Sequence, residues 1–167
     1  MNYIVSVDRN WGIGKNNDLL FSIPTDMKFF RETTLGKTVV MGRKTLLSLP
    51  NGKPLKNREN IIMTRDRNFS VCGAEVVHSV DELFELIKNK DSDDIFVMGG
   101  AEIYNLLYKY CKFAYITKVD ADAYADVFIE NLDCLNNWSI VKESETIFEN
   151  QLEYRFLTYE NSKVKSY

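Results

Sequence analysis

Short apolar runs, each closed by a polar turn, alternate with stripes of helical spacing along most of this chain. Tyr3–Val7 (YIVSV) reads as a short buried strand ending at Asp8-Arg9-Asn10. The apolar period lapses from Gly12 to Asp18, where Gly12 and Gly14 flank Ile13 and polar residues follow, the pattern of a loop. Leu19, Leu20 and Phe21 form a brief apolar run, and Pro24 opens a helix over about Pro24–Thr34, with Gly36 as its stop. Met27 and Phe30 share one face of that helix with Asp26. Thr38–Met41 (TVVM) predicts a second buried strand, Gly42-Arg43-Lys44-Thr45 a turn, and Leu46–Leu49 a short helix, followed by turn chemistry from Pro50 to Lys56.

Strands are predicted at Asn60–Thr64, Ala74–His78, Asp94–Met98 and Phe113–Val119. Ser79 and Glu82 form a capping box ahead of a helix whose buried stripe is Leu83, Leu86 and Ile87. A further helix follows Gly99-Gly100, with Ile103, Leu106 and Leu107 turned inward. From Trp138 the pattern changes to period two with no helix between the runs, which predicts a C-terminal antiparallel hairpin. Asn161–Tyr167 is polar and expected to fray. Repeated strand–helix units ending in such a hairpin predict an α/β fold: one three-layer domain over residues 1–167, with a central mixed, mostly parallel sheet flanked by helices.

Composition narrows the function. The 167 residues are 45% hydrophobic and 27% charged, ordinary for one globular domain. A net charge of −3 supplies no bulk attraction for nucleic acid or acidic membranes, so any anion site must be local. No run is long enough to span a bilayer, and the N-terminal apolar run is too brief for a signal peptide. Cys72, Cys111 and Cys134 match neither a zinc set nor a disulfide framework, and read as free thiols in a cytoplasmic protein.

In open α/β sheets ligands collect at the carboxyl ends of parallel strands. Two junctions fit: Gly42-Arg43-Lys44-Thr45, and Gly99-Gly100, where a phosphate could approach bare backbone. Thr64-Arg65 after another strand could hold a third anionic group such as a ribose 2′-phosphate. Each also has a plain reading, as a tight turn or a solvated basic step. Rossmann and Walker patterns are absent, as is a GxSxG elbow. His78, the only histidine, precedes a helix cap and reads as structural. Asp26 is the one candidate for proton management; its alternative is a helix-start carboxylate favoured by the macrodipole.

Five blocks carry a resemblance: VDRNWGIGKNNDL, IPTDMKFFRETTLGKTVVMGRKT, NRENIIMTR, VMGGAEIY and YITKVDADAYADVF. In this order and spacing, from Tyr3 to about Tyr159, the chain resembles dihydrofolate reductase. The resemblance implies NADPH-dependent reduction of 7,8-dihydrofolate by a monomer, with diaminopyrimidine or pteridine antifolates as further ligands. It implies that Asp26 and Thr117 hold the pterin edge, with Phe21 beside them in the catalytic set. Ile4, Val5, Ser6, Met27, Phe30, Ser48, Leu49, Leu55 and Phe96 would line the substrate, and Arg58 would pair with its glutamate α-carboxylate. For NADPH it implies Ser6, Ile13, Gly14, Leu19, Gly42, Arg43, Lys44, Thr45, Met63, Thr64, Arg65, Phe96, Gly99, Gly100, Ala101, Glu102, Ile103 and Tyr104. Ile13–Leu19 corresponds to the mobile loop over the nicotinamide.

The sequence departs from the family's usual pattern at several places. Leu20-Phe21 stands for a common Pro-Trp, so the indole donor is missing. Ser6 stands for alanine, Leu46 for tryptophan and Ala125 for glycine. Two other readings remain: a reductase of another pterin or of a pyrimidine-nucleotide intermediate, and an NADPH-binding sensor domain without catalysis.

Overall fold

The computed structural model describes all residues, 1–167. The elements, in order, are β1 (Asn2–Val7), β2 (Gly12–Lys15), β3 (Asp18–Leu19), α1 (Pro24–Thr34), β4 (Thr38–Gly42), α2 (Arg43–Ser48), β5 (Glu59–Met63) and β6 (Glu75–Val77). There follow α3 (Val80–Ile87), β7 (Ile95–Val97), α4 (Ala101–Leu107), β8 (Phe113–Val119), β9 (Val127–Phe128), β10 (Trp138–Glu143), β11 (Ile147–Glu149) and β12 (Leu152–Asn161).

One large sheet runs in the order β10-β12-β8-β1-β7-β4-β5-β6. The six strands from β8 to β6 are parallel, and β12 joins both β8 and β10 antiparallel. The sheet is thus mixed and mostly parallel, as the sequence predicts. Alternation along β1 divides its faces. Tyr3 and Val7 pack with Leu83, Ile87, Ile103 and Leu107, so α3 and α4 cover one side. Thr117 of β8 meets Asp26 of α1, and Phe29 of α1 packs on Phe156 of β12 with ring centroids 4.6 Å apart, so α1 covers the other.

Several local expectations change. The glycine loop after Asp8 is strand: β2 pairs with β3 and with β9 in a second, three-stranded sheet. Helix α2 begins at Arg43 rather than Leu46, because Gly42 is extended and serves as its N-cap. On α3, Leu83 and Ile87 are fully buried but Leu86 is exposed, since an eight-residue helix on a flat sheet buries a narrower stripe. On α4 the inward residues are Ile103, Tyr104 and Leu107, and Leu106 is exposed. Ser79 Oγ accepts from Glu82 N at 3.1 Å, but the Glu82 carboxylate reaches His78 N at 2.7 Å instead of the Ser79 amide. The chain end does not fray as expected: Tyr167 stacks on Phe84 (4.7 Å, 22°) and Lys165 N donates to Lys109 O. Aromatic stacking holds a segment that polarity alone would release.

Candidate functional site

Asp26 lies in the first turn of α1, two residues after the proline that starts the helix. Thr117 Oγ1 donates to Asp26 Oδ1 at 2.5 Å, joining α1 to β8 across 91 residues of chain. Burial pushes the Asp26 carboxyl above the ordinary carboxylate range, the Thr117 bond opposes that rise, and the nearby Glu149 charge adds to it. Glu149, at the end of β11, accepts from Tyr154 OH at 2.8 Å, and its bonds to Thr25 and Tyr154 keep its own carboxyl low. A second carboxylate is thereby held ionised beside Asp26. No local spacing in the sequence signals Glu149, since it arrives from the C-terminal hairpin.

Around this pair the sheet supplies Ile4 and Ser6 from β1 and Phe96 from β7. Tyr104 OH donates to Ile4 O at 2.7 Å, fixing α4 to β1 at the cleft. Phe96 is buried against Tyr115, centroids 5.7 Å apart. Leu49 and Leu55 pack on the small cluster of Val39, Met41, Leu46 and Ile62. Phe30 is half-buried, whereas Met27 is 52% exposed. Phe29, which the sequence reading passed over, takes the inward place at i+3 from Asp26. Ser48 is exposed and donates to Thr45 O. Phe21 packs with Ile23, Val119 and Tyr154 and brings no polar atom to the site.

Arg58 is held from three sides. Its Nε donates to Thr34 Oγ1 (3.1 Å), Nη1 to Lys56 O (2.8 Å) and Nη2 to Arg31 O (2.9 Å). Burial and then the Arg31 charge lower its pKa, and a guanidinium so shifted is still a cation at neutral pH. Two cations on one rim favour an anion there.

The predicted cofactor segments meet at the carboxyl ends of β4, β5 and β7. Gly42 N donates to Gly99 O at 2.8 Å, which sets the two glycine junctions side by side. Helices α2 and α4 start from Gly42 and Gly100 with no side-chain cap, so their first amides remain available as donors. A Cβ at Gly99, where φ is +114°, would sit 3.1 Å from the Tyr104 ring. A Cβ at Gly42 would sit 3.2 Å from Ile103 Cγ1, and at Gly100 3.4 Å from Thr45 Oγ1. This bare, donor-rich backbone fits the pyrophosphate of a dinucleotide.

Arg43 Nη1 lies 2.9 Å from Asp66 Oδ2, and the exposed Arg65 lies 3.4 Å from Glu102 Oε1. Both guanidiniums thus sit at the same edge, each on a carboxylate. Met63, Gly99, Ile103 and Tyr104 are buried, Thr45, Thr64, Gly100 and Ala101 half-buried, and Lys44 and Glu102 exposed. Ile13 and Gly14 are half-buried in β2, but Leu19 points to solvent.

His78 Nδ1 lies 2.9 Å from Thr64 O, a structural tie. Cys111 is buried, and burial pushes its thiol up to about 12, so it is no nucleophile.

Comparison with known proteins agrees with this geometry. The family model described as dihydrofolate reductase matches residues 1–161. The dihydrofolate reductase of Enterococcus faecium is 40% identical over 162 residues, covering 94% of this chain and 95% of the relative. That of Staphylococcus haemolyticus is 34% identical over 159 residues, covering 94% and 93%. Among solved structures, the dihydrofolate reductase from Enterococcus faecalis complexed with NADP(H) and RAB-propyl superposes with a TM-score of 0.85 at 27% identity, over 96% of this chain and 95% of that one. A match over nearly the full length in sequence and in fold leaves one assignment: the chain belongs to the dihydrofolate reductase family.

Proposed function

We propose that this chain, as one domain over residues 1–167, reduces 7,8-dihydrofolate to tetrahydrofolate with NADPH at the cleft between α1 and the β1–β8 face. The observation that carries the reading is the half-buried Asp26, bonded to Thr117 at 2.5 Å with no cation of the protein beside it. A half-buried carboxylate with one hydroxyl partner has acceptor capacity to spare, and the amino and N3 edge of a pterin matches it.

When bound, NADPH supplies the hydride that reduces C6. The protein's own residues bind, orient and exclude water. Gly42, Gly99, Gly100 and the first amides of α2 and α4 would hold the pyrophosphate. Arg43 and Arg65 would hold the 2′-phosphate, exchanging carboxylates that surface pairing makes worth only about 0–1 kcal/mol each. Ile4, Phe96, Leu49 and Leu55 form apolar walls that fix the heterocycle and the aminobenzoyl ring. Asp26 anchors the pterin in the orientation that presents N5 for protonation, and its negative charge favours the protonated ring. Arg58 receives the α-carboxylate of the tail. A cytoplasmic location belongs to this reading, supported by the three free thiols.

NADPH oxidation followed by absorbance, with dihydrofolate as substrate and a diaminopyrimidine as inhibitor, tests the proposal directly. No consumption under saturating conditions would leave the two other readings, a reductase of another pterin or pyrimidine-nucleotide intermediate and a sensor domain, and NADPH oxidation with those substrates separates them.

Two variants separate the subsites. Arg58→Ala should raise KM for dihydrofolate at least about tenfold, the loss of a charge-assisted bidentate pair. A dihydropterin without the glutamate tail should be turned over equally by both proteins. Equal loss on both substrates would show that Arg58 acts only by bracing Thr34, Lys56 and Arg31. Arg65→Ala should weaken NADPH about tenfold and leave NADH unchanged. An unaltered NADPH/NADH ratio would transfer the 2′-phosphate to Arg43 alone.

A further inference from the structure

Trp11 carries a wide side chain on a backbone that disfavours one. Its φ is +65°, in the left-handed region where glycine is the usual occupant. Such a residue persists only where its surroundings hold it. It stands at the turn between β1 and β2, just before the segment Ile13–Leu19 that would cover the nicotinamide. Its amide donates to Asp8 O (3.1 Å) and its carbonyl accepts from Ile129 N (3.1 Å), so the pairing of β2 with β9 starts from this residue.

The indole is fully buried, and three residues from separate elements close around it. Tyr159 of β12 meets it edge-on, ring centroids 5.9 Å apart at 69°. Lys118 Nζ of β8 lies 4.9 Å from the ring centre, a cation–π contact. Asp133, in a short helical turn at Leu132–Cys134, ties these two together: Oδ2 accepts from Lys118 Nζ (2.6 Å) and Oδ1 from Tyr159 OH (2.7 Å). Burial works to raise the Asp133 carboxyl, but the bonds from Lys118 and Tyr159, with the Trp11 indole, outweigh it and hold it below the ordinary range. A hydrophobic core needs only the ring; an ammonium and a carboxylate fastened over it also fix its orientation. Lys118 follows Thr117 on β8, and neighbours on a strand face opposite sides, so this cluster lies across the sheet from Asp26.

We propose that Trp11 is the positioning residue of the lid, clamped by Lys118, Asp133 and Tyr159 so that β2 leaves β1 in the direction that lays Ile13–Leu19 over the nicotinamide. This rests on the assignment of that segment as the cover of the cofactor. Without the clamp the turn takes other conformations, and the apparent affinity for NADPH falls with the fraction of molecules still in the binding form. Dihydrofolate, held on the other face of the sheet, does not depend on the clamp.

The test uses Trp11→Gly, Asp133→Asn and Trp11→Phe in the full chain, with calorimetric binding of NADPH and, separately, of dihydrofolate to the cofactor-free protein. Trp11→Gly keeps the left-handed turn and removes the clamp. Asp133→Asn leaves the core intact, keeps an oxygen for Tyr159 and releases Lys118 from its ion pair. Asp133→Asn should weaken NADPH by roughly 3- to 10-fold, the scale of one partly buried cation–π contact and its ion pair, and Trp11→Gly by at least as much. Dihydrofolate affinity in Asp133→Asn, and NADPH affinity in Trp11→Phe, which still offers a ring to Lys118 and Tyr159, should stay within about twofold of wild type. Hydrogen exchange on the ligand-free Asp133→Asn protein should be faster in β2 and unchanged in β8. Unchanged NADPH affinity in Asp133→Asn overturns the inference, as does equal loss of both ligands, or exchange that rises in β8 as much as in β2. A wild-type protein that binds no NADPH would instead remove the function proposed above, while the exchange result still decides whether the clamp holds β2.

Discussion

Replacing Asp26 with Asn should lower kcat/KM for dihydrofolate by about 10² or more while NADPH affinity stays within twofold, the scale expected when a positioned ionisable group is lost from a transition state. The geometry makes this substitution clean. The Asn side chain keeps an oxygen where Thr117 Oγ1 now donates, so the α1–β8 tie survives. Lost are the charge and the second acceptor. In their place the amide puts N–H donors toward a pterin edge that itself donates. Near-normal turnover by this variant would remove Asp26 from the chemistry altogether.

The same variant has a second consequence, opposite in sign. Burial raises the Asp26 pKa in the folded protein, so folding favours the neutral carboxyl. The stability associated with that preference is fully present below the unfolded pKa and is lost as pH rises through the folded one. At neutral pH the wild-type protein therefore holds a half-buried charge at a cost that Asn does not have. Asp26→Asn should be at least as stable as wild type at pH 7, and the difference should close as pH falls from the raised folded pKa to the ordinary carboxylate value of the unfolded chain. Denaturation midpoints measured across that range check the sign. The pH-dependent limb that Asp26 contributes to kcat should vanish in the variant, leaving a flatter profile.

How far the sequence could be read depended on whether a signal was local. Strands β1, β4, β5, β7 and β8 were visible because strands buried on both faces are continuous apolar runs. Proline at its first position marked α1, and the glycine junctions marked the ends of β4 and β7. Partnerships made across long stretches of chain were not visible. The sequence singled out Asp26, but the resemblance alone, not any spacing, tied it to Thr117. Glu149 reached the site through a hairpin whose register depends on the turn at Asn150 and Gln151, both at positive φ. The second sheet leaves no strand signal in the sequence, because β2 is the glycine-rich GIGK and β3 has only two residues, too short to show period two. Exposure on α3 and α4 was misjudged at Leu86 and Leu106, since spacing fixes a face but not how wide a strip the sheet covers.

The largest omission was Asp8, which the sequence shows only as a polar residue after a strand. In the structure it is completely buried. Oδ1 accepts from Asn10 N (2.9 Å) and Gly12 N (2.8 Å), and Oδ2 accepts from Ala123 N (3.2 Å). One carboxylate therefore joins the end of β1, the start of β2 and the loop that leads to β9. A few residues on, Asp126 Oδ2 accepts from Asn16 N and Asp126 N donates to Gly14 O, so the same two segments are tied again. Gly12 permits the approach: a Cβ there would lie 2.2 Å from Ala125 Cβ. Asp8→Ala would remove the acceptor of three amides, of which the Gly12 amide is buried and the Asn10 and Ala123 amides are part-buried, a cost of about 3 kcal/mol. For a domain of this length that corresponds to a fall in Tm of roughly 6–12 °C. Asp8→Asn, which keeps one acceptor, should fall between. Because β2 and β3 carry Ile13–Leu19, the Asp8→Ala protein should also lose NADPH affinity while dihydrofolate binding alone persists at a temperature where it is still folded. A Tm within 2 °C of wild type would mean that other bonds hold these segments. Equal loss of both ligands would mean that Asp8 supports the whole sheet rather than the lid.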